Sequence, residues 1–139
     1  MATMSHADKP SGYVERYDYR VDILRRLNLV TAAKDGVVLA ESRHTLIVDE
    51  QDHGIVFYFP RRDVRFDGLE PIQGHTTRCP YKGDARYWGL GGEPVAWSYE
   101  EPYPEVVQIK GYVAFYQDLV TVSVGTAPSI WERTKGAKA

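Results

Sequence analysis

Short apolar runs broken by polar, glycine-containing turns recur through the middle of the chain. Thr45 to Val48 leads into Asp49-Glu50-Gln51-Asp52-His53-Gly54, and Ile55-Val56-Phe57-Tyr58-Phe59 follows before Pro60. Two apolar runs around a polar loop that ends in glycine predict a hairpin. The second run shows no polar alternation, which predicts cover on both faces. Upstream, Asp35-Gly36 separates Leu29–Lys34 from Val37–Glu41, a second hairpin turn. Ala85–Trp88 and Val95–Tyr99 flank a glycine-rich tip at Gly89–Pro94 and predict a third. Gly111–Tyr116 and Leu119–Val124 flank Gln117-Asp118, and Val120, Val122 and Val124 alternate with Thr121 and Ser123 as in a half-buried strand. Strands this short and regularly spaced suggest an all-β barrel or packed sheets.

Helical signals are sparse. Pro104–Lys110 has proline in its first turn and Gly111 just past its end, which predicts a short helix. Arg61-Arg62-Asp63 can make one turn after Pro60. Over Tyr17–Leu29 helical spacing competes with β-branched composition, and the segment is read as strand. Ala2–Gly12 and Lys135–Ala139 are small and polar, and residues 1–12 and 131–139 are expected to be flexible arms around one domain at 13–130.

Composition narrows the class. The 139 residues are 43% hydrophobic and 26% charged, as in an ordinary globular domain. Seventeen Lys and Arg against nineteen Asp and Glu lack the basic excess that nucleic-acid binding needs, so no nucleic-acid partner is expected. No apolar stretch suits a membrane span, and the first residues carry no secretory signal. A single cysteine excludes an intramolecular disulfide and a multi-thiolate zinc site, and fits a reducing cytoplasm. No metal or cofactor is expected. The unusual count is ten tyrosines against four phenylalanines. A dry core favours Phe, so this excess points to a hydrated, aromatic-lined cleft.

The densest candidate chemistry is Thr76-Thr77-Arg78-Cys79-Pro80-Tyr81-Lys82-Gly83. Pro80 and Gly83 frame a tight loop that presents a thiol, a phenol and an ammonium. Arg78 or Lys82 beside Cys79 would favour the thiolate, and Lys82 could instead meet an anionic ligand. The plainer reading of a lone cysteine is a buried apolar filler. The acidic run Asp49, Glu50, Asp52 and His53 reads as a solvated hairpin tip. Asp63 is a carboxylate base or a helix cap. Glu41 and His44, three apart on a strand, point to opposite faces. His75 reads as a surface-loop residue.

Ordered blocks carry a resemblance across about Val37 to Val124. They are Glu41-Ser42-Arg43, Tyr58-Phe59-Pro60-Arg61 with Asp63-Val64, Leu69-Glu70, Thr77, and Cys79-Pro80-Tyr81-Lys82-Gly83. Ala85, Tyr87, Ala96-Trp97-Ser98-Tyr99, Pro102, Ile109 and Gly111-Tyr112-Val113-Ala114-Phe115-Tyr116 follow. The chain thereby resembles the bacterial and fungal family catalogued as domain of unknown function 427. The resemblance implies a β-tent, with strands folded over a central cleft. Some β-tent relatives hold zinc through cysteine pairs, which this chain lacks. The family also carries a nucleotidyltransferase-like label. Such a site commonly needs Asp-x-Asp carboxylates for magnesium, and no Asp-x-Asp occurs here.

The expected architecture is therefore a mainly β, small single-domain β-barrel or β-tent-like fold with one or two short helices. The expected function is binding of a small polar or anionic molecule in an aromatic-lined cleft, with thiol- or lysine-assisted catalysis as its active form. Cys79 and Lys82 are the candidate catalytic residues. Tyr58, Asp63, Thr77, Tyr81, Tyr87, Trp97 and Tyr112 are the candidate ligand-binding residues. A non-catalytic interaction module or homodimer is the alternative, and nucleotidyl transfer the second.

Overall fold

A computed structural model describes residues 10–127. Residues 1–9 and the expected C-terminal tail lie outside the described residues. Among the described residues ten strands form two antiparallel sheets. The larger holds, from edge to edge, β1 (Val21–Arg25), β4 (Leu46–Glu50), β5 (Ile55–Phe59), β9 (Val113–Phe115), β8 (Glu93–Tyr99), β7 (Gly83–Leu90) and β6 (Glu70–Cys79). The smaller holds β10 (Thr121–Val124), β2 (Val30–Lys34) and β3 (Val37–Ser42).

The first three hairpins form where the apolar runs and turns place them. Asp35 and Gly36 have φ of 50° and 80°, the left-handed pair that suits a two-residue hairpin turn. Tyr17–Leu29 contains strand β1. Arg61–Asp63 and Pro104–Ile109 form short 3-10 helices.

Three expectations need correction. His75, read as a surface-loop residue, lies in a strand, Glu70–Cys79, at the open edge of the large sheet. The register of this strand breaks between Pro71 and Thr76, with Gly74 at φ 71°. The strands around Gln117-Asp118 do not pair with each other. β9 joins β5 and β8, whereas β10 crosses to the small sheet beside β2. Ile55–Phe59 is covered on both faces only at its end, where Tyr58 and Phe59 are buried while Ile55 is exposed.

The large sheet does not close into a barrel, but it rolls tightly. Glu50 at the end of β4 and Lys82 before β7 stand at diagonal corners of this sheet. Four strand spacings and about nine residue steps would hold them roughly 35 Å apart on a flat sheet. They are in direct contact. The right-handed twist thus coils the sheet until its corners meet through side chains instead of a backbone ladder.

Rolling gives the sheet two different faces. Phe59, Phe115, Val113, Ala96 and Trp88 pack against the small sheet through Val30, Ala32, Leu39 and Val120. The concave face carries Leu46, Val48, Tyr58, Ala85, Tyr87, Tyr99 and Ala114, joined by Val106 and Ile109 of the 3-10 helix.

Candidate functional site

One row of paired residues crosses the concave face: Leu46, Tyr58, Ala114, Trp97 and Tyr87. Ala114 contributes only a methyl at the centre, which leaves room for the rings on either side. Tyr58 and Trp97 meet edge to face with centroids 6.2 Å apart, and the Trp97 indole N–H donates to the Tyr58 hydroxyl at 3.1 Å. Above this floor lies an open cleft of about 420 Å³.

The corner contact forms one end of the cleft. The Lys82 ammonium donates to Glu50 Oε1, and both side chains are buried. The Tyr19 hydroxyl donates to Glu50 Oε2. His53 Nε2 stands 3.5 Å from the same oxygen. Burial alone would raise the Glu50 pKa. The hydrogen bonds from Lys82 and Tyr19 and the nearby charges outweigh it and hold the carboxyl below its ordinary value. Burial, Glu50 and Tyr81 push the Tyr19 phenol up.

The segment before β1 covers this end. Tyr19 stacks on Tyr81 with centroids 3.7 Å apart and planes 12° from parallel. Tyr13 meets the same ring edge-on at 5.2 Å, and its own phenol is pushed up to about 12 by burial and by Glu105 and Glu50. The Gly12 N–H donates to the Pro80 carbonyl at 2.6 Å. A Cβ on Gly12 would lie 2.6 Å from the Tyr81 ring, so this close approach requires glycine.

Five of the nine sequence-predicted site residues line the cleft: Cys79, Lys82, Tyr58, Tyr81 and Trp97. Cys79 is a free, half-buried thiol. The cations expected to activate it are committed elsewhere. The Arg78 guanidinium donates to the Tyr103 hydroxyl and the Pro10 carbonyl, each at 2.8 Å, and Lys82 is held by Glu50. The other four residues are placed outside the cleft lining. Asp63 accepts from the Ser42 hydroxyl at 2.6 Å, at the junction with the small sheet. The Thr77 and Tyr87 hydroxyls are hydrogen-bonded to each other at 2.7 Å. Tyr112 is half-buried in the concave core. Tyr87 instead joins an adjoining ladder with His75, Tyr116 and Trp97. Burial and the Tyr87 hydroxyl push Tyr116 up to about 12.

Sequence reasoning missed Glu50, Tyr19 and His53 as cleft residues, and it placed Tyr99 among the strand aromatics without choosing it as a ligand contact; all four line the cleft. Glu50 is 7% exposed, not part of a solvated tip. The available signal was strand parity, since Leu46, Val48 and Glu50 alternate onto one face. Tyr99 is 6% exposed, and its hydroxyl has no hydrogen-bond partner among the described residues. Burial pushes its pKa up strongly. Among the described residues Glu50 is the one carboxylate lining the cleft, and no group of three or more His, Cys, Asp or Glu side chains is placed to hold a metal ion. Among the described residues no helix is long and apolar enough to cross a membrane.

A family sequence profile described as "Domain of unknown function (DUF427)" matches residues 22–126. No curated protein matches the chain. The chain belongs to the DUF427 family.

Proposed function

We propose that this DUF427 protein binds a small polar molecule in the concave cleft. The observation that carries the reading is the Tyr99 hydroxyl. Its ring is buried, its oxygen has no protein partner and is not closed off from solvent, and it lines an open cleft beside the aromatic floor of Tyr58 and Trp97. A hydroxyl open to the cleft and uncommitted to the protein is free to hydrogen-bond a ligand there. Apolar walls with a few convergent polar groups are the usual make-up of a small-molecule site.

The geometry narrows the ligand's charge. Lys82 was expected to hold an anion, but Glu50 already neutralises it at the corner contact. An anion there would add an uncompensated negative charge beside Glu50, so a neutral polar ligand suits the cleft better than an anionic one. The catalytic form of the reading assigns Cys79 as nucleophile, because its thiol lines the same space. Lys82 then serves through its charge and its remaining N–H donors.

A thermal-shift screen of the full chain against a library of small metabolites tests this reading. Ligand bound to the native state raises Tm by mass action. Neutral polar compounds are expected to raise Tm, with the shift lost in Trp97→Leu. If Cys79 reacts, intact-mass analysis shows an adduct that Cys79→Ala lacks. A library with no hits, or hits that Trp97→Leu leaves unchanged, would overturn the assignment of the site.

A further inference from the structure

We infer that the Glu50 end of the cleft is a subsite for a planar aromatic ring bearing a hydroxyl donor, and that Tyr19 occupies it as a built-in stand-in for such a ligand. The inference rests on reading the cleft as a ligand site and names the chemistry of one end of it.

Tyr19 makes the contacts a bound phenol would make. Its ring lies nearly parallel to Tyr81 at 3.7 Å between centroids, so one face is provided by the turn between β6 and β7. Its hydroxyl donates to the buried Glu50 carboxylate, a charge-assisted bond. The Gln51 carbonyl stands 3.2 Å from the same oxygen. These receptor groups belong to the two hairpin turns at the sheet's corners and are fixed without Tyr19. Lys82 holds the other oxygen of Glu50, and Tyr13 and the Gly12 N–H hold Tyr81 and Pro80 in place.

Tyr19 itself sits on a short connection. On the preceding side Val14 and Tyr17 are 71% and 87% exposed, and Tyr19 is tied there through Arg16, whose carbonyl accepts from the Tyr19 N–H at 3.0 Å and whose guanidinium lies 5.6 Å from the ring. With the backbone held on both sides, it is rotation of the Tyr19 side chain that would free the subsite while Gly12 and Tyr13 keep Pro80 and Tyr81 in place. An outside ligand of matching chemistry would bind in competition with the Tyr19 ring, at an affinity reduced by the fraction of time that ring is seated.

The chemistry specifies more than a greasy ring. The carboxylate oxygen that Tyr19 uses accepts a proton donor, so a ring without O–H would leave it without that bond. An aromatic carboxylate would set two anions together. The class that fits is an uncharged phenol, or a flat heteroaromatic with an equivalent hydroxyl.

Chemical complementation in the full chain tests this, with 4-methylphenol, the tyrosine side chain itself, and toluene, the same ring without hydroxyl. In Tyr19→Ala, millimolar 4-methylphenol is expected to raise Tm by about 3 °C and toluene by less than about 1 °C. Wild type should respond less than the variant, since its own ring competes. If Tyr19→Ala does not fold alone, refolding with 4-methylphenol and not with toluene is the same result. Equal effects of the two compounds, or no effect of either, would overturn the inference. Hits that survive Trp97→Leu while 4-methylphenol still stabilises Tyr19→Ala would sink the wider cleft assignment and leave this subsite standing.

Discussion

The two faces of the large sheet are built from different aromatics. All four phenylalanines, Phe57, Phe59, Phe66 and Phe115, pack into the core shared with the small sheet, and no tyrosine joins them. The concave face takes Tyr58, Tyr87, Tyr99, Tyr112 and Tyr116 and no phenylalanine. A strand places neighbours on opposite faces, so Tyr58-Phe59 and Phe115-Tyr116 each divide one ring to either side. On the first face the Trp88 N–H donates to buried Ser98 at 3.3 Å, and the remainder of the cluster is apolar. On the second, phenols, a thiol and an ion pair surround open volume. One face is a core that holds the fold together, and the other is a surface that the roll has turned inward.

Substitutions that treat the faces unequally test that division. The largest effect is expected from Phe59→Ala, a fully buried ring in the dry core. It should cost about 4 kcal/mol in denaturant unfolding. Glu50→Gln comes next, at about 3 kcal/mol, because Lys82 is left charged and buried without its partner. This variant also has a pH signature. The folded-state pKa of Glu50 lies below 4.5, so its stabilisation is fully present above pH 4.5 and is lost as pH falls through the folded value. Wild type should therefore lose stability in acid more steeply than Glu50→Gln, as read from Tm against pH. At the alkaline end the sign reverses. Burial raises Tyr58 and Tyr99, so their contribution is present below pH 10 and is lost as pH rises and the unfolded chain ionises first.

Phe59→Tyr asks whether the dry face tolerates what the wet face uses. It buries a hydroxyl among apolar side chains and should cost about 2 kcal/mol. If it is neutral, the faces are not chemically distinct. Tyr19→Phe keeps the ring on Tyr81 and removes one hydrogen bond to Glu50, for about 1 kcal/mol.

The sequence made the hairpins legible, because apolar runs and the Asp35-Gly36 turn act locally. It hid β6, since Pro71, Gly74 and the polar residues of 70–79 suit an exposed edge strand with a broken register and carry no periodic signal. The exchange of sheets after β9 was equally hidden, because strand partners depend on tertiary packing. In the cleft, the loop carrying Cys79, Tyr81 and Lys82 was found by its crowded chemistry. Glu50 was lost among Asp49, Asp52 and His53, which resemble any solvated turn. Its burial depends on a roll that brings distant corners together, and no local pattern records that. The tyrosine excess was the compositional trace of the concave face, although it could not separate Tyr58 and Tyr99 at the cleft from Tyr87 and Tyr112 beside it.

On this reading the phenols of the concave face serve an outside molecule. Tyr99→Phe tests it most directly, with Tm measured in the absence and presence of a compound that stabilises wild type. Unliganded stability is expected to stay within about 0.5 kcal/mol of wild type, because the hydroxyl has no protein partner to lose, together with a clear loss of the ligand-induced shift. A destabilised variant that keeps the full ligand shift would contradict it.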